Sequence, residues 1–314
     1  MKKIVCLGGG NAMPKTVLRS LKNYQVALTT ISSMADSGGS TGQLREDFDV
    51  LPAGDIRRHL LELSRAPGWK KELFNFRFGR EIFPGGHKGH NFGTVFISAL
   101  EHSFGDFNKA LKYVSDFLEV KGTVLPVTLN KTNIYAVLEN RKIINGETNI
   151  DVPKHNPELK IKKIELRPKA KGNPVAIKII KSADLVVIGP GDLYSSIIPC
   201  LLPQGISEAL RKTKAKKVFI CPAMTKDGET NKFSVLDFTE TITEYCDLDF
   251  VVYNSFRPPA ENVKEYRKEH PELLDLVRID KNLPAEKFIG RNLLLSEKII
   301  EYSPAKIGAL LIKI

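Results

Sequence analysis

Between Met34 and Arg58 the chain reads MADSGGSTGQLREDFDVLPAGDIRR, a stretch rich in the groups that handle an anion. Ser37, Gly38, Gly39, Ser40, Thr41 and Gly42 put hydroxyls and slim backbone into one turn, where peptide N–H groups converge on an oxyanion. Arg45, just beyond, offers a planar guanidinium for a bidentate contact. Pro52-Ala53-Gly54-Asp55 then opens the helical pattern IRRHLLELS, with Asp55 the expected N-cap. Arg57 and Arg58 stand in its first turn, where the helix dipole disfavours cations, and an anionic ligand would account for them. A flexible Gly/Ser linker is the alternative, and the flanking Asp36, Arg45 and helix start argue against it.

Other turns repeat the theme. Gly8-Gly9-Gly10-Asn11 follows an apolar run, and Pro14 suits the first helical position after it, ahead of Lys15. Glycines there let backbone N–H groups approach a phosphate, although Met13 stands where the dinucleotide fingerprint requires its third glycine. A plain tight turn explains this segment equally well. Gly189-Pro190-Gly191-Asp192-Leu193-Tyr194-Ser195-Ser196 is a further strand-to-helix transition of the same kind. In the Gly-rich segment from Pro84 to Thr94, His87 and His90 stand three apart, next to Asn91. Contact with phosphate or polar substrate is favoured over a metal pair, since no Cys or second His pair supports metal. Thr225 and Asn254 lie at or just past the ends of other apolar runs, so several polar groups collect where a parallel sheet gathers its ligands.

The elements that must position these groups read as an α/β fold. Lys3–Leu7, Tyr24–Ser32, Ala183–Ile188, Lys216–Cys221 and Asp249–Asn254 are strand-like runs, several of them apolar throughout, as in a parallel sheet covered on both faces. Helical patterns separate them, including Phe107–Glu119 and Pro258–Arg267, which makes the expected core a Rossmann-like, mostly parallel sheet flanked by helices. Asn133–Ile150 alternates around Asn145-Gly146 and predicts a hairpin there. With the basic segment that follows, it forms a β-rich insertion at about 130–182 in a chain read as a single domain over 1–314. Weaker strands are expected around Leu276–Arg278 and Gly308–Ile312.

Composition bounds the rest. The 42% hydrophobic and 26% charged content belongs to an ordinary globular chain, and no apolar run approaches bilayer length. Lys2 and Lys3 lead directly into a strand-like run, so neither a signal peptide nor membrane insertion is expected, and the location expected is cytoplasmic. Cys6, Cys200, Cys221 and Cys246 are widely spaced and read as buried reduced thiols. Of the formal net charge of +11, much sits between Lys160 and Lys181, which a solvated face and a partner surface explain equally. No aromatic stacking pattern accompanies it, so nucleic-acid binding ranks last.

Taken together, from about Ile4 to Asn254, the motifs resemble the family of 2-phospho-L-lactate transferases and gluconeogenesis factors, the CofD-like and YvcK-like proteins. GGGNA stands where the family has GGGTG, MADSGGSTGQLR where it has ADDGGSSGRLR, and LPAGDIRRHLLEL where it has PPGDIRN followed by a helix. LFNFRF, GHNFGT, VLPVT, GPGDLYSSIIPCLL and MTKDGET match in the same order. GDIRR, LYSSIIP and MTKDGET read closer to the gluconeogenesis-factor branch, while Met13-Pro14-Lys15 is similar to the TPK of the transferases.

The resemblance implies a nucleotide-linked metabolite, such as a UDP-sugar, GDP or an NAD-like ligand, bound across the strand ends by Gly8–Asn11, Lys15, Ser37–Ser40, Arg45, Arg57, His90, Asn91, Gly189, Gly191, Asp192, Tyr194, Ser195, Thr225 and Asn254. In the transferase branch it implies Mg²⁺ held by Asp36 and Asp55 and transfer of a phospholactyl group from a guanosine diphosphate donor to a deazaflavin alcohol. In the other branch it implies a regulator of carbon flow and cell-wall synthesis, and a homo-oligomer is expected. Asp36-Ser37 replaces the family's paired Asp, and a serine hydroxyl serves poorly as base or Mg²⁺ ligand. Asn11-Ala12 replaces Thr-Gly, while Thr94 and Cys200 each replace an Asn. Regulation by nucleotide binding is therefore the leading expectation, and transfer, with Asp36, Asp55 or Ser37 as catalytic groups, the alternative.

Overall fold

A computed structural model describes residues 1–79 and 89–314. Among these residues the largest sheet has seven strands: β1 (Lys2–Gly8), β2 (Val26–Ser32), β3 (Thr123–Pro126), β7 (Leu185–Ile188), β8 (Lys216–Ile220), β10 (Phe250–Asn254) and β12 (Phe288–Arg291). Their order is β12-β10-β8-β7-β1-β2-β3, and every pairing is parallel. Ile4, Cys6 and Leu7 on β1, and all of Leu185–Ile188 on β7, are fully buried. A strand sandwiched between helix layers has no polar face to show, which is why these runs carry no alternation.

From β1 the chain proceeds outward through β2 to β3, then returns to the other side of β1 and proceeds through β7, β8, β10 and β12. The reversal makes the β1/β7 boundary the switch point at which open sheets hold ligands. It also sets the turns after β1 and β7 against each other: a Cβ on Gly10 would stand 3.1 Å from Ser196 Oγ.

Two smaller antiparallel sheets flank this edge. β4 (Asn133–Leu138) lies between β5 (Ile143–Asn145) and β6 (Ile161–Arg167), while β9 (Met224–Lys226) pairs with β11 (Leu273–Leu276). The predicted hairpin exists, but it turns at Glu139–Lys142, where Arg141 takes a φ of 69°. Gly146, at φ 85°, instead swings the chain from β5 into the helix Glu147–Asp151. Residues 174–181, expected within the β-rich insertion, are the helix Pro174–Lys181, and the expected strand at Gly308–Ile312 lies within the helix Pro304–Lys313. In both, a polar cap followed by Pro at the first helical position outweighs the β character of the apolar run. The Ser37–Gly42 turn is also shorter than expected, since the helix Gly39–Phe48 begins inside it.

Lys162, Lys163, Arg167 and Lys169 are exposed on and beyond β6, with Glu165 bridging Lys163 at 2.7 Å and Arg167 at 2.8 Å. All four cysteines are buried free thiols. Among the described residues no helix is long and apolar enough to cross a membrane.

Asn173 joins the small sheet's exit to the main sheet. It is 1% exposed, donates from Nδ2 to the Pro126 carbonyl at 3.1 Å, and accepts from the Val175 N–H at 3.0 Å as the cap of Pro174–Lys181. Asn173→Ala strands a buried carbonyl and removes the cap. It is expected to cost about 1–3 kcal/mol, read as a lower urea midpoint with an unchanged slope.

Candidate functional site

The turn after β1 is shaped by a carboxylate from the next helix. Asp55, in the first turn of Gly54–Leu63, is 6% exposed, accepts from the Gly10 N–H and pairs with the Arg58 guanidinium. Gly9 is needed because a Cβ there would lie 2.5 Å from Asp55 Oδ2. Asp55 is therefore not the N-cap; Ala53 is, and the Asp55 side chain crosses to the neighbouring loop instead. Burial, aided by Asp36, pushes the Asp55 carboxyl up to about 6, against the pull of Arg58 and the Gly10 N–H. Asp36 is equally close-set, with Oδ1 accepting from the Gly38 N–H at 3.0 Å and Oδ2 only 2.0 Å from where a Cβ on Gly54 would sit.

A second carboxylate occupies the turn after β7. Glu229, whose side chain is wholly buried, accepts from the N–H groups of Tyr194 at 2.9 Å and Ser195 at 3.2 Å and from Ser195 Oγ at 2.7 Å. These are the donors that the sequence offered to a phosphate. Lys226 balances Glu229 at 3.5 Å and Asp192 at 2.8 Å, and also pairs with Asp151. Burial disfavours its ammonium, but the three carboxylates outweigh that and raise its pKa. Asp151, Asp192 and Glu229 bring carboxylate oxygens within 4.8 Å of one another, a spacing suited to a metal ion, and Lys226 supplies the positive charge there.

Among the described residues several adjoining chambers open at this edge, three of them around the turns after β1 and β7 and the Gly38-Gly39 turn. One of about 440 Å³ is lined by Gly9, Gly10, Asn11 and the carboxylates of Asp36, Asp55, Glu147, Asp151 and Asp192, with Arg58 and Lys226 as its cations. A second of about 440 Å³ shares Asp36, Arg58, Glu147 and Asp151 but adds Gly38, Gly39, Ser40, Thr41, Asn91 and two more arginines, Arg57 and Arg77. A third of about 290 Å³ shares Asn11, Gly191 and Asp192 with the first and is otherwise largely apolar and aromatic.

In the second chamber Arg57 is 9% exposed and donates from Nη1 to Asn75 Oδ1 at 2.8 Å, while its buried Nε has no partner among the described residues. Burial, then the repulsion of Arg58 and Arg77, lowers its pKa to about 10.

The other expected site residues divide clearly. Lys15 lines only the apolar chamber, and Gly8 is buried against Met13. Arg45 donates to the Asp36 and Thr132 carbonyls and to Asn133 Oδ1, which ties the loop to β4, and it lines a separate chamber of about 490 Å³ with Ser37 and Lys131. His90 Nδ1 meets Ser40 Oγ at 3.0 Å, and His90 lines none of the three chambers; His87 lies outside the described residues. Asn91 caps the helix Phe92–Phe104 through Thr94 while lining the arginine chamber. Gly189, at φ 70°, is packed against Ile197 and the Ile220 carbonyl and shapes the turn without lining a chamber. Thr225 bonds Asp275 across β9 and β11, and Asn254 holds the Phe256 carbonyl and the Leu293 N–H, so neither reaches the crevice.

Ser37 faces the insertion. Its Oγ accepts from the Thr148 N–H at 3.2 Å, and its own N–H donates to Glu147. Sequence reasoning passed over Glu147, Asp151, Lys226 and Glu229. The MTKDGET motif contains the last two, and the i, i+3 Lys/Glu spacing was the available signal.

The sequence profile described as "2-phospho-L-lactate transferase CofD" matches residues 4–292. The chain is similar to the gluconeogenesis factor of Halalkalibacterium halodurans, at 36% identity over 86% of this chain and 83% of that protein. It is likewise similar to the gluconeogenesis factor of Bacillus subtilis, at 33% identity over 99% and 97%. A crystal structure of a UPF0052-family protein from Bacillus halodurans superposes with a TM-score of 0.89 at 30% identity, covering 99% of this chain and all of that one.

Glu147 provides a test of the charge pattern. Burial first, then Asp36, Asp151 and Asp55, pushes its carboxyl up to about 8 from an ordinary 4.5. Between those values the folded state holds a proton that the unfolded state has lost, so stability falls as pH rises through the window and levels off above it. Glu147→Gln is expected to flatten this fall, seen as a smaller loss of Tm between pH 6 and 8 than in the unaltered protein.

Proposed function

The chain belongs to the 2-phospho-L-lactate transferase CofD family, in its gluconeogenesis-factor branch, and we propose that it is a regulator of carbon metabolism and cell-wall synthesis that acts by binding a nucleotide-linked metabolite of the UDP-sugar class. The observation that carries this reading is the arginine chamber. Arg57 is nearly buried, its Nε has no partner among the described residues, and two further guanidiniums repel it. Asp55 already pairs Arg58, so Arg57 and Arg77 are the guanidiniums that a diphosphate would join, accepting bidentate bonds from them. Ser40, Thr41 and the slim backbone of Gly38 and Gly39 complete that wall.

Mg²⁺ is part of the same proposal. Asp36, Asp55, Asp151 and Asp192 give the neighbouring chamber more carboxylates than Arg58 and Lys226 neutralise, and hard oxygen donors suit that ion. Asp36 and Asp55 would hold it, and it would screen the diphosphate from the acidic wall. Binding is ranked above transfer because Ser37 stands at the second acidic position of the transferases, with its hydroxyl already engaged by Thr148.

The test is thermal shift with UDP-sugars, GDP, GTP and NAD, each with Mg²⁺. A ligand at about a hundred times its Kd adds roughly 2.7 kcal/mol of stability, an unmistakable rise in Tm. Arg57→Ala is expected to remove the rise. A flat response of the unaltered protein to the whole panel overturns the reading, and turnover of a guanosine diphosphate donor with a deazaflavin alcohol overturns the regulatory assignment.

A further inference from the structure

The apolar chamber carries charge only at its margin, in Lys15, Asp192 and Glu301, and it opens directly from the acidic one. Asn11, Gly191 and Asp192 form the ridge between the two. Beyond the ridge the wall changes character: Ala223 and Met224 lead into β9, Tyr266 and His270 come from the helix Ala260–Glu269 and its cap, and Tyr302 closes the far side. The Tyr266 and His270 rings stack at 4.4 Å between centroids, and the Tyr302 hydroxyl donates to the Cys221 carbonyl. Two of the three aromatic groups are thus held in place before anything binds, Tyr266 and Tyr302 being 8% and 6% exposed.

We infer that this chamber receives the nucleobase of the ligand, an assignment that rests on the nucleotide reading above. A base needs flat apolar walls and a few polar groups at its edge, and the chamber pairs aromatic walls with Asn11, His270 and Glu301 at its margin. Its volume of about 290 Å³ suits one fragment of a ligand rather than a whole nucleotide-sugar. The ribose then crosses the ridge, where the Asp192 carboxylate accepts from its hydroxyls in the way acidic residues do in dinucleotide sites. The diphosphate continues toward Arg57 and Arg77 past Arg58, the cation that the acidic and arginine chambers share.

The experiment compares UDP, GDP and inorganic pyrophosphate by calorimetry, all with Mg²⁺, on the unaltered protein and two variants. Ala223→Phe fills the chamber, and Tyr266→Ala removes an aromatic wall. At least one nucleoside diphosphate is expected to bind the unaltered protein more tightly than pyrophosphate does. Each variant should lose about tenfold or more in that affinity, while pyrophosphate changes by less than about twofold. Retained pyrophosphate binding also reports that the variant is folded. Nucleotide affinity unchanged in both variants overturns the base assignment and leaves the nucleotide reading standing, as does a nucleotide that binds no better than pyrophosphate. Failure of every nucleotide to bind the unaltered protein overturns the reading above, and the base assignment with it.

Discussion

The crevice of this protein depends on carboxylates seated on backbone N–H groups at the sheet's C-terminal edge. Asp55 accepts from Gly10 after β1, and Glu229 accepts from Tyr194 and Ser195 after β7. Strand ends followed by helical turns present unpaired donors, which are natural anion sites. Here the fold fills two of them with its own side chains. A buried carboxylate without donors would be costly, and these donors without an acceptor would be costly too, so each satisfies the other.

That choice fixes where charge goes elsewhere. Asp55 requires Arg58 beside it, and Glu229 requires Lys226, which then also gathers Asp192 and Asp151. Because Asp151 belongs to the helix Glu147–Asp151, Lys226 on β9 fastens the small sheet's connection to the turn after β7, with Ser37 and Thr148 as a second tie. The acidic chamber and the arginine chamber adjoin at this junction and share Asp36, Arg58, Glu147 and Asp151. Charge separation across one continuous crevice is the property from which the ligand reading starts.

On that reading the diphosphate meets arginines and the Gly38-Gly39 backbone, and other glycines serve a different purpose. Gly9 and Gly54 leave space into which Asp55 and Asp36 fold back, distances of 2.5 and 2.0 Å that no Cβ would allow. The family membership of the chain and its glycine-rich motifs are consistent with each other, but the motifs act here through side-chain packing against slim backbone. Ser37 fits the same logic: it exchanges an acidic group for a hydroxyl that docks the insertion.

The sequence alone determined the parallel core, its wrapping helices, the family and the general location of the crevice. Runs such as Ile4–Leu7 and Leu185–Ile188 carry their burial in their composition, and a glycine turn after a strand is a local signal. Of the residues it singled out, Gly9, Gly10, Asp36, Asp55, Gly191 and Asp192 line one chamber, and Arg57 lines the chamber adjoining it. It misjudged Asn145-Gly146, because a glycine with positive φ serves a hairpin and a strand-to-helix bend equally well. Only the tertiary structure decided which donors are already taken. Glu229 reaches Tyr194 from 35 residues away, and Arg45 reaches Asn133 from 88, and no local pattern records such partners. Hydrogen-bond satisfaction is a property of the assembled edge, so which N–H groups and guanidiniums stay free for a ligand emerges only once the strands are side by side.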